Sequence, residues 1–295
     1  MINFNKFYKL FNIVSAFLIV ISILLLFFKG LNFGVDFKGG TLIELRSNDN
    51  KINVTSLRDS FNSMNLGDIN IKKFGNENDF LIKIEKKDRS ANSIEIIKKN
   101  LSDNISNSFN FRRVENVGPK VSSELLKSGI IAIALSLAAM LFYIWIRFEW
   151  QFSLGAIIAL FHDVIITLGI FSLFSLEINL SIVAAILTIV GYSMNDTVVI
   201  YDRVRENLRK FSDIKIFELT NISINQTLSR TIITSVTTLL ALVSIYLFGG
   251  EILKGFSLAM IMGVVFGTYS SIYIANPILV KLRVSQKTIL KEEME

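Results

Sequence analysis

Asp196 and Arg230 are the residues whose types and positions most constrain the chemistry of this chain. Asp196 lies in the run 180–201, LSIVAAILTIVGYSMNDTVVIY, which otherwise has the composition of a membrane-spanning helix. Arg230 opens the next apolar run, RTIITSVTTLLALVSIYLF. A carboxylate at membrane depth costs roughly 2.5 to 3.5 kcal/mol on insertion scales unless it faces a bundle interior or water. The chemistry such a pair offers is reversible protonation. Burial favours the neutral acid and a nearby guanidinium favours the carboxylate, so small movements of Arg230 would load and unload a proton at Asp196.

Other polar residues are spaced to join them. Thr188, Tyr192, Asn195 and Asp196 follow i, i+4, i+7 and i+8, one stripe of a helix. Arg230, Thr234, Thr237 and Thr238 repeat that spacing on the next run, and His162 and Asp163 are adjacent in an earlier one, with Thr167 a turn later. Counted from the inner ends of their runs, Asp163 lies about 13 Å deep and Asp196 about 8 Å. Polar faces of three helices are therefore expected to converge in the inner half of a membrane. Plainer readings stand beside this one. Arg230 would serve as an interfacial anchor, His162 and Asp163 as a helix cap or re-entrant bend, and Asp196 as a buried hydrogen-bonding group.

The elements that must position these residues follow from composition. The chain has 295 residues, 51% of them hydrophobic, with a mean hydropathy of +0.50. Those values fit a polytopic helical membrane protein and not a soluble domain. There is no cysteine and one histidine, which excludes disulfides, thiolate sites and a His-rich metal centre. No cofactor motif is present. Two prolines in the chain suit long helices.

Six apolar runs are expected to span: 11–28, 130–146, 154–176, 180–201, 232–248 and 256–275. Lys6 and Lys9 precede the first, but no small-residue cleavage site follows, so it reads as a retained anchor. With the N-terminus inside, the inner side receives Lys6, Lys9, Arg147, a loop carrying Arg203, Arg205, Arg209, Lys210 and Lys215, and the tail cations Lys281, Arg283, Lys287 and Lys291. The short outer loops carry Glu177, or Glu251 with Lys254. This positive-inside bias puts both termini in the cytoplasm and residues 29–127 outside. The net charge of +6 is thereby assigned to topology and anionic lipid, and not to nucleic acid. The expected division is 1–28 for the tail and first span, 29–127 for an external domain, 128–280 for a five-helix bundle and 281–295 for a cytoplasmic tail.

Within 29–127, alternation predicts strands at 41–46, 69–74, 80–85 and 109–117, with helices at 54–64 (Asn53 as cap) and 90–105 and a turn through Gly75, Asn76, Asn78 and Asp79. The order βαββαβ is the ferredoxin-like pattern. The segment FGVDFKGGT at 33–41 lacks the Gly-Lys-Ser/Thr ending of a phosphate loop, so Gly34, Gly39 and Gly40 are assigned to tight turns. In the sixth run Ala259, Gly263, Gly267, Ser271 and Ala275 recur every four residues, a small-residue ridge for close helix approach, internal or at a subunit interface.

FGVDFKGGT after the first run, FHD in the third, GYSMNDTVVIYDRVREN around the fourth and QTLSRTIITSVTTLL at the fifth resemble the SecF branch of the SecD/SecF family of bacterial protein-export subunits. The resemblance covers nearly the whole chain. It implies six transmembrane helices with a periplasmic domain after the first, in a bacterial inner membrane. The membrane part would be one half of an RND-like fold, paired with SecD and associated with the SecYEG translocon, its small subunits and exported preprotein. It also implies coupling of proton movement to late steps of translocation, with the family carboxylate at Asp196, its arginine at Arg230, and Asp163 with His162 as a further relay. No covalent chemistry is implied. Rival readings are a passive assembly scaffold, half of a small-molecule or lipid exporter, and an intramembrane aspartyl protease using Asp163 and Asp196. The last lacks a Gly-x-Gly-Asp signature, since Ser193, Met194 and Asn195 precede Asp196.

Overall fold

In the computed structural model, the described residues are 1–48, 52–64, 69–73, 76, 78–84, 95, 97, 99, 109–211 and 214–292. Apolar runs nearly free of proline build six helices long and apolar enough to cross a membrane: Asn5–Phe28, Pro119–Arg147, Trp150–Leu173, Leu180–Lys210, Ile216–Phe248 and Ile252–Lys281. Most exceed the apolar runs themselves. The fourth span continues through Arg203, Arg205 and Arg209 to Lys210, so this basic cluster is a helical extension and not the expected loop. Arg, Glu, Leu and Lys are good helix formers, and Glu206 pairs with Arg203 at 2.5 Å and Lys210 at 2.6 Å, three and four residues away. Arg230 likewise lies well inside Ile216–Phe248 and does not open it, because the preceding turns pack Leu219 and Ile224 into the core.

The chain divides into two compact units, Phe33–Ile130, and Met1–Asn32 together with Ile131–Glu295. In the helical unit the third, fourth and sixth spans are the most enclosed, while the first and fifth carry large exposed side chains such as Phe17, Phe27, Leu240 and Leu247. The small-residue ridge explains the core. A Cβ added at Gly263 would overlap the side chain of Ile189, and one at Gly267 would lie 3.0 Å from Ser193, so the ridge packs internally on the fourth span. The sixth span then passes through a π-helical turn, Ser271–Ala275, just before Pro277. Proline removes a backbone N–H and leaves a carbonyl to be satisfied elsewhere. Asn276 donates its amide to the Ser271 carbonyl at 2.7 Å, and the Tyr201 hydroxyl donates to that of Ala275 at 3.0 Å.

Near the N-terminus the bundle closes with side chain to backbone bonds. Asn225 and Asn221 accept from the backbone N–H groups of Ile2 and Phe4 at 2.8 and 2.9 Å. Arg205 pairs with the enclosed Glu149 at 2.9 Å.

The smaller unit holds a four-stranded antiparallel sheet. Gly40–Ser47 is central between Asp79–Ile84 and Phe109–Val117, and Ile69–Lys73 pairs on the far side of Asp79–Ile84. Alternation along Gly40–Ser47 sends Ile43 and Leu45 into a core with Phe80 and Ile82, covered by Leu57 and Phe61 of the helix Val54–Ser63. Asn53 caps that helix, accepting from Ser56 N at 2.8 Å. The expected helix at 90–105 falls outside the described residues except at 95, 97 and 99, where Ile97 is buried with the sheet core. Asp79, expected in a turn, begins its strand, because its carboxylate meets Arg46 directly across the ladder. Gly39 and Gly40 have φ of 79° and 141°, and a Cβ on Gly40 would come within 2.5 Å of the Ile84 carbonyl, so both positions need glycine.

Candidate functional site

The helical unit encloses two aspartates and satisfies them differently. Asp163, on the third span, has no exposed surface. Its Oδ1 lies 2.7 Å from His162 Nδ1. Its Oδ2 accepts from Ser193 of the fourth span at 2.6 Å and Ser270 of the sixth at 2.7 Å. Thr167 donates to the Asp163 carbonyl at 2.8 Å. The His162 ring stacks on Tyr269 with centroids 5.9 Å apart. The Tyr269 hydroxyl donates to the Phe11 carbonyl at 2.9 Å and lies 2.7 Å from Ser15 Oγ, which ties in the first span. His162 Nε2 is enclosed without a hydrogen-bond partner among the described residues.

Asp196, on the fourth span, is 2% exposed. Its Oδ2 accepts from Thr268 Oγ1 of the sixth span at 3.1 Å, and that hydroxyl lies 2.7 Å from Ser235 Oγ of the fifth. Among the described residues, no cationic nitrogen lies within 4.0 Å of the Asp196 carboxylate. Arg230 is exposed and forms no ion pair with it. The charge of Arg230 reaches the carboxylate only at longer range than an ion pair.

The expected polar stripe is divided. Tyr192 donates to the Thr234 carbonyl at 3.2 Å and to Thr238 at 3.3 Å, joining the fourth and fifth spans. Thr188 and Asn195 are exposed, and the Thr188 hydroxyl turns back to the Ala184 carbonyl at 2.8 Å. Adjacent helical positions point about 100° apart, so Asn195 and Asp196 face different surroundings despite sharing a broad arc. The anticipated single meeting point of three polar faces is also divided. Thr268 and Ser270 are two residues apart, about 200° around their helix, so the sixth span offers one hydroxyl to each aspartate on opposite flanks. Asp163 and Asp196 share no donor.

Ser193, Ser235, Thr268, Ser270 and Tyr269 were not singled out by the sequence reading. A signal for three of them existed in Gly267–Thr268–Tyr269–Ser270–Ser271, five consecutive small or polar residues amid an apolar run.

Six long apolar helices, of which the third, fourth and sixth enclose two aspartates, with an α+β unit inserted after the first, define a polytopic membrane protein with a polar network in its core. The family model described as protein export membrane protein SecD/SecF, C-terminal, matches residues 97–285, and that of the SecD/SecF GG motif matches 24–50. The chain belongs to the SecD/SecF family, on its SecF branch. It is 46% identical to the protein translocase subunit SecF of Rickettsia bellii over 94% of this chain and 91% of that protein. Against SecF of Cereibacter sphaeroides the identity is 43%, over 92% and 86%. Among solved structures it is similar to SecDF, a translocon-associated membrane protein from Thermus thermophilus. The TM-score is 0.85 and the identity 35%, over 95% of this chain. It spans 38% of that SecDF chain. A super-membrane-facing form of SecDF matches with TM-score 0.71 and 33% identity, over 99% of this chain and 40% of that one.

Proposed function

We propose that this chain works with SecD in the bacterial inner membrane and uses the proton motive force to promote late steps of preprotein translocation. The observation that carries the reading is Asp196, a carboxylate enclosed within a span, held by hydroxyl groups and with no cation in ion-pair contact among the described residues. A group so placed is inexpensive to keep neutral and expensive to keep ionised, which suits a proton carrier. Arg230, on the neighbouring span, would modulate it by approach and withdrawal. Asp163 with His162 would form the relay on the other flank of the sixth span, with the orphaned Nε2 as its open valence.

Partnership rests on two supports. SecF relatives are named as translocase subunits, and the solved SecDF chain is more than twice the length matched here. Thr188, Asn195 and Arg230 lie exposed within spans, where polar side chains are stable only against another protein surface or water. A SecD half seated there would cover them, while the SecYEG translocon and its small subunits would be engaged by the assembled pair. The short-loop cations favour cytoplasmic termini in contact with anionic lipid and a periplasmic Phe33–Ile130 unit. The strand order of that unit supports a ferredoxin-like domain, whose uncovered sheet face would meet SecD or exported chain.

The test uses inside-out vesicles carrying the assembled complex, with ATP held constant. Asp196→Asn should assemble normally and lose the gradient-dependent gain in completed translocation, and Arg230→Lys should retain part of it. Full gradient stimulation by Asp196→Asn at normal protein level would defeat the carrier role and favour a passive scaffold.

A further inference from the structure

Two hydroxyls stand in series at Asp196. Thr268 Oγ1 touches the carboxylate, Ser235 Oγ touches Thr268, and Thr231 lies one helical turn before Ser235 on the same face of the fifth span. Thr231 is 2% exposed, and its hydroxyl has no partner among the described residues. The other polar groups nearby are occupied elsewhere. Tyr192 is bonded to Thr234 and Thr238, Ser193 and Ser270 serve Asp163, and Thr197 pairs with Ser271 at 2.8 Å. Gly267, seated on Ser193, fixes the height of Thr268 against the fourth span.

We propose that Thr268 and Ser235 are positioning residues for Asp196, a pair of hydroxyls whose hydrogen-bond direction reverses with its charge. The inference rests on the carrier reading of Asp196. A hydroxyl both donates and accepts, so the pair has two polarities. With Asp196 ionised, Ser235 donates to Thr268 and Thr268 donates to Asp196. With Asp196 protonated, its O–H donates to Thr268, Thr268 donates to Ser235, and the Ser235 proton turns away from Thr268. The charged and titratable groups around this site are Arg230 on the fifth span, the Asp163–His162 pair on the third, and Asp202 further along the fourth.

The experiment uses the assembled complex in proteoliposomes and two readouts. The first is labelling of Asp196 by a hydrophobic carbodiimide as a function of pH, quantified by mass spectrometry. The second is gradient-stimulated translocation. Thr268→Val keeps the shape and removes the hydroxyl. It should move the labelling midpoint by about 0.4 to 1 pH unit, the worth of one hydrogen bond, and lower the gradient gain roughly tenfold, about one such bond at a barrier. Thr268→Ser should restore both, and Ser235→Ala should move both by less. A folded, assembled Thr268→Val with unchanged midpoint and unchanged gain overturns the proposal. So does a loss in Thr268→Val that Thr268→Ser fails to restore, which marks a packing role. If Asp196→Asn keeps full gradient stimulation while Thr268→Val still moves the midpoint, the positioning contact stands and the carrier reading fails.

Discussion

Asp79 of the smaller unit and Asp196 of the helical unit are almost equally enclosed, at 3% and 2% exposure, yet their partners differ in kind. Asp79 receives the Arg46 guanidinium on both oxygens, at 2.6 and 2.7 Å, with Arg112 at 3.8 Å. Arg46 beside it is the main reason its carboxyl is held below the usual carboxylate range. A guanidinium only donates and keeps its charge, so it commits the carboxylate to the ionised form. Asp196 has one hydroxyl, which serves either protonation state. Burial by itself therefore does not separate a carboxylate committed to its charge from one that is not. The donor and acceptor repertoire of its partners does. Asp163 sits between the two, with two hydroxyl donors and a histidine ring nitrogen beside it.

The comparison is broken most forcefully at Asp163. Asp163→Ala would take from His162 Nδ1, Ser193 and Ser270 the carboxylate they share in a site closed to water, leaving Ser270 only the Gly267 carbonyl. We expect a loss of about 3 to 5 kcal/mol in the opening free energy of the third, fourth and sixth spans. Hydrogen exchange with mass spectrometry, corrected for intrinsic rates, measures it. A loss under about 1 kcal/mol would show that the three hydroxyl and imidazole contacts do not hold these spans together.

Asp79→Asn ranks second. Arg46 is about a third exposed, so water screens part of the loss, and about 1 to 2 kcal/mol is expected for the strand Asp79–Ile84. The pH dependence has a definite sign. The folded carboxyl ionises more readily than an unfolded one, so its stabilisation is complete above the unfolded value of about 3.9 and drains away as pH falls through the lower folded value. Protection of this strand should weaken in the wild type as pH falls below about 4 and on through the lower folded value. Asp79→Asn should lose that component, and an unchanged pH profile would detach Asp79 from the stability of the sheet.

The contrast was partly legible in the sequence. Asp196 stands out because a lone acid interrupts an apolar run, and the six runs and the strand alternation set out the elements. Asp79 was assigned to a turn, because its neighbours Asn76 and Asn78 are turn formers and nothing local reveals that Arg46 lies across the ladder. Thr268 and Ser235 were passed over for a related reason. A single Ser or Thr in a span usually satisfies itself on its own helix, as Thr188 and Thr237 do here. Only the packing of the sixth span through Gly263 and Gly267 decides which hydroxyls reach a carboxylate. Helical spacing also grouped Asn195 with Asp196, although a rotation of about 100° is enough to leave one exposed and the other enclosed.

The smallest stability effect is expected at Asp196, and there the comparison is sharpest. Asparagine keeps the shape of the side chain and one oxygen to accept from Thr268, while removing the ionisable group whose desolvation opposes insertion. Opening free energies of the fourth and sixth spans in Asp196→Asn should therefore stay within about 1 kcal/mol of wild type, whereas the same chemical change at Asp79 removes the partner of a guanidinium. Hydrogen exchange on the two variants in one experiment gives the ratio directly. If Asp196→Asn loosens its helices as much as Asp79→Asn loosens its strand, Asp196 is ionised and structurally paired in the resting protein. Arg230 would then have to lie closer to it in the membrane than in this structure. If the helices hold while the response to the gradient disappears, the single hydroxyl contact is what leaves the carboxylate free to change its charge.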